Sequence, residues 1–217
     1  MIEGVLLQMR RYFLENMDSF LVSLREHVVI SLLAITAAAL IGVTLGYVCV
    51  RNKRYERWIV AFFQVLRIVP SLAVLILLIP VMGTGVRPAL TALVLLAIPP
   101  VLMNTVAGFS EVPEFMLETA RSLGMTKGQI LWKVEAPLAF PMILTGVKTG
   151  MVEIVASATI AAKIGAGGLG GIILTGLGLN RMDLLLVGGI SVALLSILAG
   201  ALLDLADRVL MSYHYVK

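Results

Sequence analysis

The sequence predicts an all-α integral membrane protein with five spans, and three observations predict it. Hydrophobic residues make up 59% of the 217 and charged residues only 14%, with a mean hydropathy of +1.01. Soluble domains carry fewer apolar and more charged residues than this. The run Val28 to Val50 is uncharged and long enough to cross a hydrocarbon core of roughly 30 Å at about 1.5 Å per residue. Comparable apolar runs recur along the chain, separated by charged or glycine-rich stretches.

Taken in order, residues 1–27 mix apolar side chains with Arg10, Arg11, Glu15, Asp18, Arg25 and Glu26. That is too charged for a span or a signal-peptide core and reads as an interfacial helix. The first span is residues 28–50. The second runs over residues 58–82, interrupted by Pro70 and Pro80 and carrying Arg67, and the third over residues 88–109 with Pro99 and Pro100 inside it. Both are expected to kink, because proline lacks the N–H of the helical ladder. The fourth covers residues 138–162 and the fifth residues 184–203, with a glycine-rich segment between them and a cytoplasmic tail at residues 209–217.

Orientation follows from residues 51–57, RNKRYER, where Arg51, Lys53, Arg54 and Arg57 stand against a lone Glu56, whereas residues 1–27 hold three basic and four acidic residues. The positive-inside rule places residues 51–57 in the cytoplasm. Alternation then puts the N-terminus outside, residues 110–137 inside, residues 163–183 outside and the C-terminus inside.

Several chemistries are excluded. Cys49 is the single cysteine, and His27 and His214 stand far apart, so neither a disulfide framework nor a metal site is expected. The net charge of +4 is spread among acids around apolar segments, which argues against a nucleic-acid partner. Gly165, Gly167 and Gly170 spell G-x-G-x-x-G with Asp183 downstream, but a dinucleotide site needs a strand before it and a βαβ unit around it. No G-x-x-x-x-G-K-[ST] occurs, so this chain is not expected to hydrolyse ATP.

The polar stretch at residues 110–137 reads as two short helices. Ser110 is placed to cap the first, whose opening turn tolerates Pro113 and holds Glu111 and Glu114. Val112, Phe115, Met116, Thr119, Ala120 and Leu123 recur at helical spacing, and Gly124 is placed to end it. Thr126 with Gln129 is a capping box for a second helix reaching about Glu135, before Pro137 opens the fourth span. Connections in compact bundles are shorter than this, so an ordered docking surface is expected. Within the spans, Lys148, Glu153 and Arg67 are ionisable, with Lys163 near the outer end of the fourth. Such residues face a cavity or the bundle interior, or, for Arg67 and Lys148, snorkel to the cytoplasmic headgroups. Glu153 stands near mid-span and is the hardest to reconcile with lipid.

Glu118, Ala120, Gly124, Val134 and Pro137 match the pattern E-A-A, three residues, Gly, nine residues, I-x-L-P, with Thr119 for the central Ala and Ala136 for Leu. This resembles the cytoplasmic signature of binding-protein-dependent ABC importer permeases of type I. The resemblance covers about residues 23–208, and RIVPSLAVLILLIP and ATIAAKIGAGGLGGIILTGL resemble most the osmoprotectant branch, which imports glycine betaine, carnitine and choline. It implies the type I permease fold in the cell (inner) membrane, with residues 110–137 as a coupling loop that docks into a separate ATPase. It also implies two ATPase copies carrying ATP and magnesium, no cofactor in this chain, an extracellular or periplasmic binding protein, and a second permease chain, identical or related. Gly165, Gly167, Gly168 and Gly170 would belong to the external gate, and Glu153, Lys148, Lys163 and Arg67 to the pathway or gate. Lys163 stands where related sequences are expected to carry an apolar or aromatic residue.

Quaternary ammonium groups are recognised by aromatic cages, yet aromatics are only 6% here, and after Trp132 come only Phe140, Tyr213 and Tyr215. Selectivity is therefore expected in the binding protein. Other readings remain: a permease for an amino acid or another betaine-like solute, an ion-coupled secondary transporter, or a noncatalytic anchoring subunit. Glu153 alone offers the midplane acid that ion coupling uses, and no inverted repeat is visible.

Overall fold

Helix follows helix through the computed structural model, which describes residues 2–210; the expected tail beyond them, with Tyr213, His214 and Tyr215, lies outside the described residues. The elements are α1 (Ile2–Arg51), α2 (Lys53–Ile68), α3 (Ser71–Met82), α4 (Val86–Ser110), α5 (Glu114–Ser122), α6 (Lys127–Ile130), a π-turn (Leu131–Glu135), α7 (Ala136–Ala161), a 3-10 turn (Ala162–Ile164), α8 (Leu169–Gly178) and α9 (Met182–Leu210). Four helical runs are long and apolar enough to cross a membrane, and a fifth crossing exists only if α2 and α3 are counted as one bent span.

That bend is 100°, sharper than the kink expected of a single second span. Its cause is local. Pro70 denies Val69 the helical region, and Val69 turns extended with ψ 124°. The 12 residues of α3 reach only about 18 Å and cannot cross alone. Pro99 and Pro100 break nothing, since α4 passes through both as one helix.

α4 is the centre of the bundle, flanked by α1 and α7 and buried along most of its length. Two small-residue stripes let the backbones meet, as helices do inside a bilayer. A Cβ at Gly46 of α1 would lie 2.6 Å from Thr105, and one at Gly146 of α7 would lie 2.8 Å from the Pro100 carbonyl. Gly42 and Gly150 continue the two stripes one turn away, forming G-x-x-x-G on either side of α4. Ala34, Ala38, Leu93, Leu102, Ile154 and Val155 fill the layers between.

The N-terminal segment shares one long helix with the first span. α1 is interrupted at Asn16 (φ −130°, ψ 24°) and then runs without a break into the first span. Ahead of and beyond that break, Met9, Tyr12, Phe13, Phe20 and Leu24 pack on Leu169, Ile172, Leu184 and Val187. Residues 9–24 thus dock on α8 and α9, while Leu6, Leu7 and Leu14 stay exposed.

Candidate functional site

The polar loop between α4 and α7 is ordered, and its start differs from the expectation. Ser110 is the last residue of α4 rather than a cap, because nothing interrupts that helix until Pro113 biases Val112 away from helical geometry. α5 then begins at Glu114, and its far end is closed by a Schellman motif. The Met125 N–H donates to Ala120 O at 3.1 Å and the Gly124 N–H to Arg121 O at 2.9 Å. Gly124 carries φ +76°, the left-handed conformation that glycine adopts without a Cβ penalty.

The second helix opens on the expected capping box: Gln129 Oε1 accepts from the Thr126 N–H at 2.8 Å, and Thr126 Oγ1 from the Gln129 N–H at 3.4 Å. It does not end at Glu135. α6, the π-turn and α7 continue as one helical run from Lys127 to Ile164. The π-turn stands just before Pro137, where the regular ladder lacks a donor. The second loop helix is therefore the loop-side end of the fourth span.

Large apolar side chains stand exposed on this loop among charged ones. Phe115 is 64%, Leu123 76% and Trp132 75% exposed, with Met116 beside them, and Glu118 and Gly124 are solvent-facing as well. Ala120 lies elsewhere: it is 4% exposed, so its smallness serves packing inside this chain and not the close approach of a partner. Val134 and Pro137 are half-buried in the run leading to α7. A side-chain relay fastens the loop to α1. Buried Glu135, in the π-turn, pairs with Arg51, Arg51 stacks 5.1 Å above the Tyr47 ring, and Tyr47 meets Phe109 edge-on at 5.4 Å. Beside it Tyr47, Arg51, Arg121, Lys127 and Glu135 line a cleft of about 350 Å³. The relay joins residues 84 apart, and no spacing rule in the sequence pointed to it.

At the other end of the bundle, residues 165–168 form the turn between α7 and α8. Gly165 (φ +88°), Gly167 (+75°) and Gly168 (+80°) all take left-handed or related positive-φ conformations. A Cβ at Gly170 would lie 2.1 Å from Thr159 O, so that glycine serves close helix packing. The Gly85 N–H donates to Ile164 O at 2.7 Å, joining the α3–α4 turn to this one.

The span charges separate. Lys148 forms ion pairs with Asp204 at 2.7 Å and Asp207 at 3.4 Å on α9, so it links α7 to α9. Glu153 is half-buried, and Arg67 in the last turn of α2 is exposed, each with no ion pair among the described residues. Lys163 is exposed beside the glycine turn, also without an ion pair among the described residues.

A helical bundle of this design, with four or five apolar crossings, an ordered loop at one end and a glycine turn at the other, defines a multi-pass membrane protein. The family is shown directly. Residues 34–211 match the binding-protein-dependent transport system inner membrane component, and the chain belongs to that family. It is 38% identical over 186 residues to the carnitine transport permease protein OpuCB of Listeria monocytogenes, covering 86% of this chain and 85% of that one. It is 37% identical to the choline transport system permease protein OpuBB of Bacillus subtilis, covering 84% of each. The osmoprotectant import permease protein OsmW of Salmonella typhimurium is 36% identical over 92% of this chain and 95% of its own. The fold also matches a chain of the MetNI methionine ABC transporter with a TM-score of 0.80 at 21% identity, over 90% of this chain and 97% of that one. The protein is accordingly a multi-pass inner-membrane permease subunit of an ABC importer. It is a transport component that works with a separate ATPase, a substrate-binding protein and a second permease.

Proposed function

We propose that this chain forms the translocation path of an ATP-driven importer for a small compatible solute such as glycine betaine, carnitine or choline. The observation that carries the reading is its 34–38% identity, over more than four fifths of its length, to permeases named for carnitine, choline and glycine betaine transport. A pair of permease chains, two ATPases carrying ATP and magnesium, and an external binding protein complete the assembly. Residues 110–137 are the coupling loop: Phe115, Leu123 and Trp132 are apolar anchors for an ATPase cleft, with Glu118 offering charge-assisted hydrogen bonds at their edge. The glycine turn at 165–168 belongs to the outer gate, and Glu153 with Arg67 borders the path. Residues 51–57 face the cytoplasm and the N-terminus faces outside.

The test is reconstitution of the permease with its ATPase and binding protein in sealed vesicles. Uptake of labelled glycine betaine, carnitine or choline should require ATP and survive collapse of ion gradients. Uptake that follows an ion gradient without ATP would overturn the reading, and uptake of an amino acid in place of all three would overturn the solute class.

A further inference from the structure

Residues 26 and 27 of α1 reach both partners of the glycine turn. Glu26 Oε2 accepts a hydrogen bond from the Gly168 N–H at 2.9 Å, and Gly168 is the residue on which α8 begins. The next side chain, His27, is fully buried, and its Nε2 lies 3.1 Å from the Val155 carbonyl of α7. A carbonyl only accepts, so the ring donates there. The turn is shaped around this pair. A Cβ at Gly167 would stand 2.3 Å from Glu26 Oε2, and one at Gly168 would stand 3.1 Å from His27 Nδ1.

We propose that Glu26 is a positioning residue of the outer gate: by accepting the Gly168 N–H, its carboxylate ties the first turn of α8 to α1 and keeps residues 165–168 closed. The proposal rests on the importer reading above. Three physical terms favour the tie. A hydrogen bond to a carboxylate is about twice as strong as a neutral one. The acceptor meets the unsatisfied donors and positive end of the α8 dipole. His27 holds the adjacent residue of α1 against α7, so the carboxylate is presented from a fixed base. For the turn to open and admit solute, Glu26 has to release Gly168.

Two variants separate charge from bulk: Glu26→Gln keeps the shape and a weaker acceptor, and Glu26→Ala removes both. Hydrogen exchange of the full-length permease in lipid nanodiscs reads the amides of residues 165–172. Protection there should fall on the order of tenfold in Glu26→Ala and by less in Glu26→Gln. In the reconstituted assembly, solute moved per ATP hydrolysed should fall severalfold in the same order, at equal protein yield. Unchanged exchange in both variants overturns the proposal, as does altered exchange with unchanged solute per ATP. Wild-type behaviour of Glu26→Gln beside an altered Glu26→Ala would make Glu26 a packing residue and overturn it too. If the wild-type assembly moves no solute, the importer reading fails and takes the gate role with it, while the exchange measurement still decides on its own whether Glu26 holds α8.

Discussion

Gly124 shows how one backbone angle sets a test. Its φ of +76° is required by the Schellman closure of α5, yet a Cβ there would meet nothing within 4 Å in this chain. Substitution is therefore penalised by conformation here, at about 1–2 kcal/mol for an ordinary L-residue in that region, and by bulk only where a partner covers the tip. Asparagine tolerates the left-handed region, so Gly124→Asn should be milder than Gly124→Ala, and Gly124→Val the most severe. All three should reach the membrane, because the spans are untouched. Uptake and substrate-stimulated ATP hydrolysis in reconstituted vesicles should fall together in that order. Wild-type rates for Gly124→Val would remove this loop from the coupling path.

Between elements, the tie that matters is Arg51 to Glu135, because it fastens the end of α1 to the π-turn that begins the fourth crossing. Glu135 is buried while Arg51 is 44% exposed on its side chain, so the two partners are unequal. Arg51→Ala strands a buried carboxylate and should lower stability by about 1–3 kcal/mol. Glu135→Leu in the same background removes the stranded charge and should recover part of that loss. Thermal unfolding of the purified single and double variants checks the order. A double variant less stable than Arg51→Ala would show that Glu135 is held by contacts other than this pair. The same element scale explains Lys148. Its charge in a span invited a pathway role, but two acids on α9, at 204 and 207, pair with it.

For the whole molecule the question is orientation, which rests on the basic cluster at residues 51–57. A reporter active only outside the membrane should be silent when fused within residues 51–57 and active in the α8–α9 connection at residues 179–181. The opposite pattern would invert the protein, placing the coupling loop outside and the glycine turn in the cytoplasm. At 10 residues α8 spans about 15 Å, too short to cross a bilayer alone. Crossing number also belongs to this scale. Four crossings are single helical runs and the fifth needs both arms of the 100° bend, because α2 carries a polar stripe with Lys53, Arg57 and Gln64 on one side.

Local and periodic features were legible in the sequence. The capping box at Thr126 and Gln129, the terminator at Gly124, the apolar runs of α1, α4, α7 and α9 and the family signature in the loop all depend on residues within a few turns of one another, where hydrogen-bond geometry and hydrophobic period act directly. The G-x-x-x-G stripes of α1 and α7 were equally available as pattern, although only the packed bundle shows that both face α4. Tertiary structure alone decided the rest. It ran the second loop helix into α7 and docked the N-terminal segment on α8 and α9. It also chose partners across 84 residues for Glu135, 59 and 56 for Lys148 and 142 for Gly168. Such pairings follow from which helix faces meet when the bundle closes, and no repeat along the chain encodes a distance of that kind.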